Sequence, residues 1–241
     1  MQPAAAIAGG DTLARELIEG GASRLRVVGE PPFGPSPASR VPWTRYEAIV
    51  SRVFRRLPIR FLCLYDLRTL PEQVVGDAYR THPTVWEADR RQASPGYVEP
   101  EVLLRQLREP DLAVVGDPSL RLAIGPEPNG WRRQVAAALT SLALPAGRAE
   151  EFLIAVSEVA ANALRHGGGR ARLALWVMAD RAVCEVRDRG HGMDDPFAGY
   201  LPPGGEEAPG MGLWVARQLS DDLTIRSGPG GGTTVRLAIG R

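Results

Sequence analysis

Val156-Ser157-Glu158-Val159-Ala160-Ala161-Asn162-Ala163-Leu164-Arg165-His166-Gly167 is the stretch on which the reading of this chain turns. It reads as the last turns of a helix that stops at glycine. Glu158, Asn162 and His166 follow one another at intervals of four residues, and at 3.6 residues per turn that spacing stacks them along one side. Phe152, Val156, Val159 and Ala163 fall on an adjacent side that can face a core. A carboxylate and an amide in one row both offer oxygen, the donor that a hard cation such as Mg²⁺ requires. Working outward, Pro145-Ala146-Gly147 is the turn that opens this helix.

Two glycine-punctuated segments follow. Asp188-Arg189-Gly190-His191-Gly192-Met193 comes directly after the apolar run Ala182-Val183-Cys184-Glu185-Val186, which reads as a strand. Asp188 therefore falls at a strand end, where its carboxylate can accept a hydrogen bond from a ligand amino group. Gly190 and Gly192 are expected to allow close backbone approach and positive φ. Gly210-Met211-Gly212-Leu213 opens a second helix running to Leu219, and free N–H groups at a helix start suit phosphate. Around these motifs, Leu120, Leu122 and Ile124 alternate as a strand, and Asn129 is expected to cap a helix reaching Leu142. Leu173, Leu175 and Val177 lead through the Ala179-Asp180-Arg181 turn into the Ala182 strand, and Leu223–Arg226 pairs with Thr233–Ile239 as a final hairpin. Gly228-Pro229-Gly230-Gly231-Gly232 joins those last strands and precedes no helix, so it reads as a turn.

With helix, strand-end loop and glycine-led helix in this order, residues 120–241, about half the chain, resemble the ATP-binding domain shared by gyrase, histidine kinases, MutL and a heat-shock chaperone, the GHKL or Bergerat fold. Within that group they are most similar to the small serine kinases that act as bacterial anti-sigma factors. The N box is Glu158 to His166, the G1 box Asp188 to Gly192 and the G2 box Gly210 to Gly212, and Gly232-Thr233-Thr234-Val235 fits the closing motif. The resemblance implies a two-layer α/β sandwich over residues 111–241, with ATP and Mg²⁺ as ligands. It implies that Asp188 reads the adenine amino group and Gly192 packs against the base, with Gly190, Met193, Leu213 and Thr233 as further ATP-binding residues. Asn162 would hold Mg²⁺, while Gly210, Met211 and Gly212 close over the phosphates. Glu158 would be the catalytic base for a serine or threonine hydroxyl or, failing that, a water, and His166 a packing or hydrogen-bonding residue.

Composition sets limits. The chain has 241 residues and a net charge of +1, which gives no global electrostatic argument for nucleic acid or membrane. All 29 basic residues are arginine. A Walker-type phosphate loop, a protein-kinase catalytic lysine and a pyridoxal Schiff base each need an amine and are excluded. Cys63 and Cys184 each lie in an apolar run and are expected to be reduced core thiols, and the spacing of cysteine and histidine along the chain predicts no zinc site. No signal peptide and no membrane-spanning run is found, so a cytoplasmic protein is expected.

In the first half, Leu25–Val28, Ile59–Tyr65 and Thr84–Glu87 read as strands, the second of them buried. Pro31–Pro42 reads as a loop, and helices are expected over Trp43–Leu57 and Leu70–Arg80. This order predicts a small α/β unit with a parallel sheet over residues 1–110. Gln92–Pro110 reads as a polar, proline-punctuated connector with a helical turn at Val102–Leu107. Val28-Gly29-Glu30-Pro31, Arg45-Tyr46-Glu47, Cys63-Leu64-Tyr65-Asp66 and Thr81-His82-Pro83 resemble the later part of the MEDS sensory domain, and a partial domain of that kind is expected. Tyr65, Asp66 and His82 are taken as structural, and no ligand is assigned.

Two function classes follow from the resemblance. One is an ATP-dependent serine/threonine kinase and anti-sigma regulator, whose partners are a sigma factor and a STAS-type anti-sigma antagonist. The other is a catalytically weak, nucleotide-dependent protein-binding switch. Glu158 favours the first. The expected ATP lid, Asp194–Pro209, favours the second, because it has no arginine or lysine and carries Glu206 and Glu207. Arg189 and Arg165 are the candidates to replace the basic lid residue common in related kinases. A sensor histidine kinase is disfavoured, since no helical hairpin with a phospho-accepting histidine precedes the ATPase motifs. Direct nucleic-acid binding and membrane binding are not expected, and homodimerisation is left open.

Overall fold

The computed structural model describes residues 3–31, 37–87, 89–107, 109, 111–125, 127–200, 210–227 and 231–240. By backbone contacts the chain divides into two compact units, Pro3–Pro110 and Asp111–Arg241.

The first unit contains α1 (Pro3–Glu19), β1 (Leu25–Gly29), α2 (Pro37–Val53), β2 (Ile59–Cys63), α3 (Glu72–Thr81), β3 (Thr84–Glu87), β4 (Arg90–Ala93) and α4 (Pro100–Gln106). β1 and β2 pair in parallel from Leu25↔Ile59 to Gly29↔Cys63. Three expectations need correction. β3 does not extend that sheet; it pairs antiparallel with β4 as a separate ribbon. The sequence hid β4 because all four of its residues are exposed and show no apolar alternation. β2 is half-buried rather than buried, with Leu62 51% exposed, because a two-stranded sheet leaves one face open. The helix expected from Trp43 already runs from Pro37, with Pro42 inside it. Pro42 is the sixth residue of this helix and lacks the N–H that would otherwise reach back to the carbonyl four residues earlier.

The expected connector is likewise folded in part. Leu103 and Leu104 of α4 are buried with Ile49, Val50 and Phe54 among the core residues of this unit. The buried Arg45 guanidinium ties the end of α4 to α2, donating to the carbonyls of Leu104 (3.2 Å) and Leu107 (2.6 Å) and pairing with Glu109 at 3.2 Å.

The second unit contains β5 (Leu120–Ile124), α5 (Pro128–Leu139), α6 (Arg148–His166), β6 (Ala171–Val177), β7 (Arg181–Arg187), α7 (Met211–Leu219), β8 (Asp222–Ser227) and β9 (Thr233–Gly240). Its sheet has the order β5-β6-β7-β9-β8, and every pairing is antiparallel. Alternate residues point to one face: Leu173 and Leu175 of β6, Ala182, Cys184 and Val186 of β7, and Val235, Leu237 and Ile239 of β9. Onto this face pack Val135 and Leu139 of α5, Phe152, Val156, Val159 and Ala163 of α6, and Leu213 and Ala216 of α7. The apolar stripe read from the sequence is therefore the buried stripe of α6. Phe152 is fully buried, and truncating such a side chain to alanine costs about 3–5 kcal/mol. The opposite face is partly covered by the segment before β5, where Leu112 packs on Val183 and Ala238. The unit is a two-layer α/β sandwich. α5 starts two residues earlier than expected and ends at Leu139 rather than Leu142, with Pro128 in its first turn and Glu127 as the N-cap residue, so Asn129 lies inside it.

Candidate functional site

The site is assembled where the C-terminal end of α6, the loop after β7 and the start of α7 meet. Glycines permit each approach. A side chain at Gly167 would place a Cβ 2.3 Å from the Ala163 carbonyl oxygen and 2.4 Å from Asp188 Cβ. One at Gly190 would lie 2.1 Å from the His166 carbonyl oxygen. The loop carrying Asp188 is thus pressed on the last turn of α6, and both contacts are against atoms that cannot easily yield. The sequence shows Gly167 only as a helix stop, since its second role depends on a strand remote in sequence. The two loop glycines also divide the tasks expected of both: Gly192 takes positive φ (+86°), whereas Gly190 serves close approach alone.

Asp188 is 7% exposed and held through one oxygen. Its Oδ1 accepts from the N–H of Gly190 (2.8 Å) and of Thr233 (3.0 Å), and its own N–H donates to the Thr233 carbonyl at 3.0 Å. Oδ2 accepts no hydrogen bond from a described residue, which leaves a fixed acceptor for a ligand donor. Thr233 acts through its backbone, a clamp on Asp188 from β9. Met193 belongs to the same loop: its N–H donates to Ser227 Oγ at 2.7 Å, and its side chain packs on the core.

Glu158 and Asn162 are half-buried on α6 and make no hydrogen bond or ion pair with a described residue. α7 begins against them. Gly210 is its N-cap residue, with φ +98°, and a Cβ at Gly212 would stand 2.7 Å from Glu158 Oε2 and 3.2 Å from Asn162 Nδ2. Met211 and Leu213 flank Gly212 in the first turn, and Leu213 is buried. The free N–H groups at this helix start and the side chains of Glu158 and Asn162 therefore share one location. His166 is exposed, one turn beyond Asn162.

These positions fit a magnesium nucleotide. An oriented carboxylate oxygen suits an amino donor, oxygen-bearing side chains suit a hard cation, and a glycine-led helix start suits phosphate. Asp188, Asn162 and the Gly210–Leu213 turn are the groups that would hold it.

One contributor was not legible. Arg217 of α7 is 8% exposed and donates to the carbonyls of Ala198 (3.2 Å) and Leu223 (2.8 Å), with its guanidinium 3.8 Å from the centre of the Tyr200 ring. It fastens the first part of the expected lid to α7. In sequence it resembles any surface arginine of an amphipathic helix. Glu206 and Glu207 lie outside the described residues, as does most of the Gly228–Gly232 turn. Arg165 and Arg189 are exposed and form no ion pair with a described residue. Cys184 is buried in the sheet, and burial pushes its thiol up.

Residues 128–239 match the model of the histidine kinase-like ATPase domain, and residues 1–83 match that of the MEDS domain, the methanogen/methylotroph DcmR sensory domain. An anti-sigma F factor of Caldanaerobacter subterraneus subsp. tengcongensis is 33% identical over 97 residues, which span 36% of this chain and 68% of that protein. The chain belongs to the anti-sigma-factor family of histidine kinase-like ATPases. An anti-sigma F factor of Thermoanaerobacter sp. (strain X514) is also 33% identical over 91 residues, 34% of this chain; there the chain spans 64% of the relative's length. Among solved structures, the histidine kinase domain of the E. coli osmosensor EnvZ matches 53% of this chain and 92% of its own, at 19% identity and a TM-score of 0.31. In this ATPase family member, no helix among the described residues is long and apolar enough to cross a membrane.

Proposed function

We propose that the unit Asp111–Arg241 binds ATP with Mg²⁺ and phosphorylates a serine or threonine of a STAS-type anti-sigma antagonist, in a protein that also engages a sigma factor. The observation that carries this reading is the contact at Gly212, which sets the start of α7 against Glu158 and Asn162. The anti-sigma relatives support the choice of partners. ATP supplies the phosphoryl group. Asp188 orients the base through its open oxygen, and Asn162 holds the metal. Glu158 accepts the proton of the incoming hydroxyl as the new oxygen–phosphorus bond forms and ADP leaves. Phosphoryl transfer asks little beyond such positioning and charge neutralisation.

The test is Glu158→Gln, which keeps size and hydrogen bonding while removing basicity. Nucleotide affinity stays within about threefold and phosphorylation of the antagonist falls by roughly two orders of magnitude or more. Transfer at the wild-type rate would show that Glu158 is not the base. A second reading rests on the expected lid: residues 194–209 contain no arginine or lysine. A missing cationic clamp costs about 10³–10⁵ in rate where such a group is used. If wild type transfers no phosphate to any co-purifying partner, the protein is a nucleotide-dependent binding switch.

A further inference from the structure

The first unit contains a convergence that the spacing of cysteine and histidine along the chain conceals. Glu47 on α2, Cys63 at the end of β2 and His82 just after α3 bring a carboxylate oxygen, a sulfur and a ring nitrogen all within 4.8 Å of one another. Glu47 is 6% exposed, and among the described residues no arginine side chain pairs with it. A buried carboxylate without a cationic partner is costly.

The surroundings orient Glu47 and His82 as metal ligands are oriented. Tyr65 Oη donates to Glu47 Oε1, and Thr81 Oγ1 donates to Glu47 Oε2 at 3.1 Å. His82 Nδ1 lies 3.0 Å from the Ala78 carbonyl oxygen. Nδ1 also lies 2.9 Å from Thr81 Oγ1; a carbonyl only accepts, so in the tautomer that bonds Ala78 the proton is on Nδ1 and Nε2 offers its lone pair. Nε2 has no hydrogen-bond partner among the described residues. A histidine fixed through its other nitrogen and a carboxylate fixed by outer hydroxyls are the supports that metal ligands need.

We infer that Glu47, Cys63 and His82 form a binding site for a thiophilic divalent transition metal of the zinc class. One thiolate, one imidazole and one carboxylate select zinc or cobalt over magnesium or calcium. Tetrahedral bonds of about 2.0–2.3 Å place the donors within about 4 Å of each other, so the three groups close by roughly 1 Å on binding. Three protein donors leave a fourth position to solvent. This inference is independent of the nucleotide reading of the second unit.

The full chain, freed of metal by chelation, is titrated with Co²⁺. The chain has two cysteines, and Cys184 is buried in the other unit, so a thiolate-to-cobalt charge-transfer band reports Cys63. The expected result is saturation near one equivalent, with that band and the visible spectrum of tetrahedral cobalt, both abolished by added zinc. Cys63→Ser and His82→Gln lose the band and weaken binding by more than about 100-fold. Tyr65→Phe keeps the band and weakens binding by about 10–100-fold, the range for an outer partner. A folded wild-type chain without the band overturns the inference and leaves a hydrogen-bonded polar network. A Cys63→Ser variant that keeps the band overturns it as well. The wild-type titration decides the matter even where a variant fails to fold.

Discussion

Gly190→Ala tests the packing that positions Asp188. Its Cβ would lie 2.1 Å from the His166 carbonyl oxygen and 2.9 Å from the His166 carbonyl carbon, both backbone atoms at the end of α6. Ordinary contact needs about 3.5 Å, so the loop must retreat by more than about 1 Å. That movement breaks the Gly190 N–H to Asp188 Oδ1 bond (2.8 Å) and the Gly232 N–H to Gly190 carbonyl bond (2.5 Å). The first involves a charged acceptor and the second is neutral, so together they are worth about 2–4 kcal/mol. For a unit of this size that corresponds to a melting decrease of roughly 8–15 °C. Calorimetry of the full chain reads it, and Phe152→Ala, which empties the core of the same unit, identifies the transition. Nucleotide affinity should fall in parallel because Asp188 loses one of its two anchors. A shift below about 2 °C with affinity intact refutes the claim that Gly190 is required by this contact.

The other expectations differ in kind. Gly212→Ala meets only the ends of two side chains, so Glu158 Oε2 yields and the fold survives; melting should change by less than about 3 °C while phosphoryl transfer falls about 10–100-fold from the displaced carboxylate. A parallel loss of stability would contradict this. Asp188→Asn keeps an acceptor for Gly190 and Thr233 but turns an amide N–H₂ toward the ligand amino group, so ATP and ADP affinity should fall by at least about tenfold in calorimetric titration. Asn162→Ala should weaken Mg-ATP more than metal-free ADP, and equal losses would remove Asn162 from the metal site. Limited proteolysis should cut first around Val115–Asp117, where Val115 is 83% exposed, and not within β4 or α4. Early cleavage between Arg90 and Gln106 would show that this stretch is the connector the sequence suggests.

Much of the second unit is legible in the sequence because its elements obey strong periodicities. The stripe Phe152-Val156-Val159-Ala163 and the alternation Leu173-Leu175 describe the two layers of one core. Asp188 can be placed at a strand end by the apolar run before it. What the sequence leaves open depends on neighbours remote along the chain. Gly190 and Gly192 look alike, yet one answers to a helix carbonyl and the other to its own φ. Arg217 is buried by a carbonyl and an aromatic ring from a loop before its helix. In the first unit, short elements without alternation defeat the same reasoning. β4 is exposed throughout, and α4 is seven residues long. Glu47, Cys63 and His82 are separated by other elements, and only folding brings them together.

The order of strands has a consequence for synthesis. β9 follows every other strand in sequence, yet it sits between β7 and β8. A nascent chain halted before Thr233 has β8 without a sheet partner and β7 with an open edge. Asp188 then lacks the N–H of Thr233 on its carboxylate and the Thr233 carbonyl that receives its own N–H. The arrangement proposed to receive the base cannot take shape while this strand is inside the ribosome, however early the N box and both glycine loops emerge. In the proposed reading, nucleotide recognition is therefore a late event in the life of each molecule: the strand placed between β7 and β8 also supplies the backbone that holds Asp188.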